Sequence, residues 1–156
     1  MMLADMGAEV VRVDRAGAVG GDFSKQNLEV LNRGRRSIGV DLKSPDGVET
    51  VMALVEQADA LIEGFRPGVA DRLGVGYDAL IAVNPKLVYC SLSGYGAGGP
   101  LEREAGHDLN YLGRAGVLNG APPRVQVGDL SGSLMAVSGM LAALLHASRT
   151  GEGDHV

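Results

Sequence analysis

Short apolar, β-branched runs alternate along this chain with segments of helical period, and that alternation limits the folds open to it more than any other feature. Residues 9–14 (EVVRVD), 37–41 (SIGVD), 60–62 (ALI) and 87–92 (LVYCSL) read as strands. Ser44-Pro45-Asp46 opens a helix, with serine as the cap, proline in the first turn, and Asp46 and Glu49 near the positive end of the helix dipole. Val48, Val51, Met52 and Val55 give that helix one apolar face. A short helix ends near Gly74, and another over 77–83 is stopped by Asn84-Pro85. The last helix carries Leu130, Leu134, Val137, Leu141, Leu144 and Leu145 on one face, while Gly132, Ala136, Gly139 and Ala143 are small enough for a neighbour to come close. Strands separated by helices imply a parallel sheet with crossover connections, a doubly wound α/β unit.

Composition removes several function classes. The single Cys90 excludes an internal disulfide framework and a cysteine-based zinc site, so no metal is expected and a reducing, cytoplasmic setting is. A net charge of -5, from 14 Lys+Arg against 19 Asp+Glu, argues against nucleic acid as a partner. No apolar run is read as reaching the roughly 20 residues that span a bilayer, and the start MMLADMGAEVVRVDR lacks a charged leader followed by an apolar stretch, so no membrane partner is expected. The 24 glycines follow no triplet period and come with only 6 prolines, which argues against a collagen-like or disordered chain. Residues 1–6 resemble the last turn of a helix closed by Gly7, and residues 149–156 begin a turn into another strand. Both ends therefore read as cuts through a longer protein.

In open parallel sheets, ligands bind beyond the carboxyl ends of the strands. The loops there hold Arg15, Lys43, Arg66 and the glycine-rich stretch 93–100, preceded by a glycine-containing stretch at 16–22. Three cations after three strands suit a phosphorylated ligand, with glycine N–H groups as further donors; the plain alternative is solvated surface charge. The three arginines within 33–36 have the same two readings. No Gly-x-Gly-x-x-Gly opens a helix after a strand and no Walker motif exists, so nicotinamide and nucleoside triphosphate sites are weak readings. His107 follows the glycine-rich stretch, where a side chain that titrates near neutrality can reach a ligand. His146 and His155 read as structural or solvent-facing, and Cys90 as a small buried apolar residue. Asp129 stands just before the last helix, as its N-cap, as a carboxyl group at the mouth of the cleft, or as both. Asp108 and Asn110 either orient His107 or cap the local helix.

The segments VVRVDR (10–15), NRGRRSIGVDLKSPDG (32–47), ADALIEGFRPGV (58–69), NPKLVYCSLSGYGAGGP (84–100), GHDLNYL (106–112) and VGDLSGS (127–133) together resemble the family III CoA-transferases, and within them the α-methylacyl-CoA racemase branch. The resemblance implies the Rossmann-like large domain of that family, incomplete at both ends. Residues 1–156 would be a partial CoA-binding domain, with the second, smaller domain and the C-terminal return absent from this chain. It also implies a CoA thioester as substrate rather than a separate cofactor, and a homodimer for the full-length protein. Arg15 would meet the CoA nucleotide, Val40, Asp41, Leu42 and Lys43 would lie beside it, and Arg66 would make a further contact. Gly106, Asp108, Leu109, Asn110 and Tyr111 would line the thioester end. His107 and Asp129 would exchange a proton at the carbon next to the thioester carbonyl. In the transferase branch the matching aspartate is instead a nucleophile that forms an acyl anhydride and then an aspartyl-CoA thioester. A CoA-binding remnant without activity is the third reading.

Overall fold

A computed structural model describes residues 1–18, 30–118 and 120–156, so the glycine-containing stretch expected at 16–22 lies outside the described residues from position 19 onward. The chain divides into two compact units, Met1–Val51 and Met52–Val156.

The first unit is built on a parallel pair. After a helical turn, α1 (Met2–Asp5), strand β1 (Val10–Arg15) lies beside β2 (Arg35–Val40) over six residues, from Val10 opposite Arg35 to Arg15 opposite Val40. Both strands are shifted slightly from the expected bounds, because pairing continues as long as each backbone finds a partner. The helix α2 (Pro45–Val55) begins where the sequence places it. Ser44 Oγ accepts the N–H of Gly47 at 3.1 Å and donates to the Asp41 carbonyl at 2.8 Å, so the serine both caps the helix and ties it to the end of β2. The basic run is held within this unit. Arg33 forms a two-pronged ion pair with Asp5, at 2.9 and 2.6 Å, Arg35 donates to the Leu31 carbonyl at 2.6 Å, and Arg36 pairs with Glu9.

The second unit holds a three-stranded parallel sheet in the order β3 (Ala60–Glu63), β4 (Val88–Ser91), β5 (Asp154–His155). Parallel neighbours need crossovers. Helices α3 (Val69–Arg72) and α4 (Tyr77–Val83) connect β3 to β4, and α5 (Asp108–Arg114) and α6 (Val127–Thr150) connect β4 to β5. The α/β architecture with parallel strands is thus the one the sequence implies. Central β4 is covered on both faces, which is why it reads as an unbroken apolar run. Val88, Tyr89 and Cys90 are buried together with Leu80 and Leu87. Cys90 is the small buried residue expected, and burial, helped by Glu63, pushes its thiol pKa up.

Helix α6 packs against the sheet by its small face. Ala136, Met140 and Ala143 are buried, whereas Leu130, Leu134, Leu141 and Leu145 are exposed. Small residues let the helix backbone approach the strand, and the leucines on the other side stay about half exposed. The helix also corrects one expectation from the sequence. With 24 residues and a mean hydropathy of 1.5 over its most apolar window, α6 is long and apolar enough to cross a membrane by length and composition alone. The alanines, valine and methionines between the leucines extend the apolar stretch beyond the one leucine face that helical spacing picks out.

Candidate functional site

The second unit contains a cleft of about 590 Å³ beyond the carboxyl ends of β3 and β4, where an open parallel sheet places its ligands. In the loop after β3 the Phe65 N–H donates to the Glu63 carboxylate at 2.6 Å, and exposed Arg66 follows at the rim of the cleft. The loop after β4 is rich in glycine for a backbone reason: Gly96 and Gly98 have φ of 73° and 75°, in the left-handed region that side chains with a Cβ avoid. The Gly98 N–H is fixed by the Glu102 carboxylate at 2.9 Å. Residues 94–99 have Gly-x-Gly-x-x-Gly spacing after a strand, yet they lead into turns, and the next helix begins only at Asp108.

His107 is the residue before α5, in extended conformation, and its own N–H donates to the Asn110 side chain at 2.9 Å. That bond is half of a capping box, so of the two roles left open for Asn110 the structure shows the cap of the local helix. Tyr111 donates its hydroxyl to the Gly106 carbonyl at 2.8 Å and meets Tyr95 edge-on, ring centres 5.1 Å apart. These contacts shape the wall next to His107, whose side chain is exposed in the cleft.

Asp129 lines the same cleft, exposed, but not from the position expected. It is the third residue of α6, not its N-cap: the N-cap is Gln126, which makes no side-chain capping bond. The helix begins three residues earlier because the Asp108 carboxylate accepts the Asp129 N–H at 3.0 Å. With the capping role filled from another helix, the Asp129 carboxyl group faces the cleft.

Arg66, Gly106, His107, Tyr111 and Asp129 are thus brought together. Leu109 and Asn110 are exposed on α5 beside a shallower depression that also touches His107, and Asp108 is buried. Arg15, Val40, Asp41, Leu42 and Lys43 belong to the first unit. Arg15 and Val40 are register partners at the carboxyl ends of β1 and β2, and the Lys43 N–H donates to the Asp41 carboxylate at 3.0 Å. Arg15, Asp41 and Lys43 are exposed there, Leu42 is half-buried and Val40 is buried. Among the cleft residues not foreseen individually are Tyr95, Glu102 and Glu104. Their signal was position, since they lie inside or just after the glycine-rich stretch already singled out. The other histidines are structural or solvent-facing, as expected: His146 is exposed, and His155 hydrogen-bonds Ser91 Oγ at 3.0 Å and stacks on Tyr77.

Residues 1–156, the entire chain, match the family described as CoA-transferase family III. The chain belongs to that family. Among family III proteins it is 43% identical to the α-methylacyl-CoA racemase of Mus musculus, over 99% of this chain and 41% of that protein. It is 38% identical to the succinate–glutarate CoA-transferase of Agrobacterium fabrum, over 99% of this chain and 44% of that protein. A solved CAIB/BAIF family protein from Brucella suis superposes with a TM-score of 0.84 at 34% identity, covering 99% of this chain and 46% of that one. A hypothetical protein from Mycobacterium tuberculosis does so with the same score and identity, covering 99% and 48%. The chain therefore spans about two fifths of the curated relatives it matches. The relatives in family III include both a racemase and CoA-transferases.

Proposed function

We propose that this chain carries the proton-transfer site of an α-methylacyl-CoA racemase. The observation that supports it is the presence of His107 and Asp129 on the walls of one cleft, supplied by the amino end of α5 and the first turn of α6. Inverting a carbon next to a thioester carbonyl takes a base on one face and an acid on the other. In this reading neutral His107 removes the α-proton, a protonated Asp129 returns one to the opposite face, and the roles exchange for the other enantiomer. The negative charge that gathers on the thioester oxygen is met by N–H groups of the glycine-rich walls. Arg66 would contact the CoA portion. CoA enters as part of the substrate, and the longer protein would work as a cytoplasmic homodimer.

The test is isotopic. Protein carrying this chain, incubated with a 2-methylacyl-CoA in deuterated water, is expected to place deuterium at the α-carbon and to scramble its configuration, read by mass spectrometry and chiral separation. CoA binding without any label at that carbon would overturn the reading.

A transferase is the second reading, favoured by the exposed Asp129 carboxyl group and by relatives such as the succinate–glutarate enzyme. There Asp129 attacks the acyl-CoA carbonyl, expels CoA thiolate and becomes an anhydride. Hydroxylamine added during turnover would then convert Asp129 to a hydroxamate, whereas a racemase leaves it unmodified.

A further inference from the structure

Asp108 is the one charged side chain buried among the described residues, with 6% of its surface exposed. A buried carboxylate is costly unless hydrogen bonds satisfy it. Asp108 sits in the first turn of α5, next to His107, yet one of its carboxylate oxygens, Oδ1, accepts a hydrogen bond from a different helix, the Asp129 N–H at 3.0 Å.

That N–H belongs to the first turn of α6, where backbone donors have no partner within the helix. Such donors are ordinarily met by an N-cap side chain, which Gln126 does not supply. The neighbouring position is shaped to admit the carboxylate: a Cβ on Gly128 would stand 3.1 Å from Asp108 Oδ1. The result is a tether between two backbones. At one end is the residue joined covalently to His107, and at the other is the amide of Asp129 itself.

We propose that Asp108 is a positioning residue, whose carboxylate fixes the backbone of Asp129 and so sets the placement of the Asp129 carboxyl group relative to His107. The inference deepens the proton-transfer reading and rests on it for its catalytic consequence, though the tether can be measured without any turnover. Acting through the backbone of another residue, Asp108 needs no contact with substrate. What matters is an acceptor oxygen at the right place, not the negative charge as such.

Two substitutions separate these features. Asp108→Ala removes the acceptor, while Asp108→Asn keeps an oxygen in place and removes the charge. In Asp108→Ala, backbone amide exchange at Asp129, followed by NMR, is expected to speed up about tenfold or more, the effect of losing one buried hydrogen bond. With an acyl-CoA substrate, kcat for α-proton exchange is expected to fall on the order of 100-fold, the cost of a misplacement near 1 Å, while KM changes little. Asp108→Asn is expected to restore both protection and most of kcat. The proposal is overturned if Asp129 stays as protected in Asp108→Ala as in the parent, or if Asp108→Asn behaves like Asp108→Ala. Should Asp108→Ala fail to fold, Asp108→Asn decides alone: retained protection at Asp129 supports the tether and lost protection overturns it. A parent protein that labels no substrate would defeat the proton-transfer reading, and the amide measurement would still decide the tether.

Discussion

At the scale of single residues, the cleft is held by hydrogen bonds from its lining back to the main chain. Tyr111 illustrates this. Its hydroxyl is bound by the Gly106 carbonyl, and its ring is wedged between Tyr95 and the backbone of Gly94, so closely that a Cβ at Gly94 would collide with the phenol. Gly94→Ala must therefore displace the ring and break the bond to Gly106. The expected cost is about 1–3 kcal/mol, the range for overpacking a fitted site, and the urea midpoint is expected to fall accordingly. Tyr111→Phe in the Gly94→Ala background checks the cause, because with the hydroxyl bond already lost the second change adds little. The same contact explains what a sequence can and cannot disclose. His107 was legible because a histidine beside a glycine-rich stretch invites attention, while Tyr95 was passed over because its importance lies in an edge-on contact with a ring sixteen positions away.

At the scale of elements, side chains tie helix ends together in ways that local signals only half reveal. Asn84-Pro85 was readable as a helix stop, and α4 does end at Val83. The stop is also a clamp: the Asn84 amide donates to the carbonyls of Val55 and Ala58, at 2.9 and 2.8 Å, and its oxygen accepts the Lys86 N–H at 3.1 Å. One side chain thereby serves the last turn of α2, the approach to β3 and the turn into β4. Asn84→Ala leaves two carbonyls and one N–H without these partners. It is expected to destabilise the protein by about 1–3 kcal/mol, measured by chemical denaturation, with Asn84→Asp recovering only the N–H contact. Strands and helices were largely legible for the same reason that they are stable locally, since β-branched runs, Ser44-Pro45 and Asn84-Pro85 act within a few residues of themselves. The start of α6 was not, because its cap arrives from Asp108, 21 positions earlier and on another helix. The packing face of α6 was half legible. The small residues marked where a neighbour would approach, but nothing local tells that the leucines opposite would be exposed.

At the scale of the whole molecule, burial is unevenly shared. Of the buried apolar residues among the described ones, only Val40 and Val51 lie in the first unit, while β4 and the segments around it hold the rest. Stability of the second unit should accordingly respond to whatever disturbs β4, and alkali does so through Tyr89. Burial, with smaller contributions from Glu63 and Asp71, raises the Tyr89 hydroxyl pKa from 10.0 to about 12. The unfolded chain releases this proton near pH 10, whereas the folded protein keeps it to about 12, so above pH 10 the unfolded state binds fewer protons and stability must fall as pH rises. The contribution is whole below pH 10, declines between about 10 and 12, and amounts to roughly 3 kcal/mol across the window. Cys90, raised in the same direction from 9.0, starts the decline somewhat earlier. Urea unfolding followed by circular dichroism is therefore expected to show a near-constant midpoint up to about pH 9 and a steep loss by pH 11.5. Tyr89→Phe removes the ionising group at the small cost of a long hydrogen bond to the Val75 carbonyl, 3.4 Å, and is expected to flatten most of that loss. A parent midpoint that holds steady from pH 9 to 11.5 would show that the Tyr89 hydroxyl is not confined by the core around β4. A steep loss that persists unchanged in Tyr89→Phe would assign the alkaline transition to other groups.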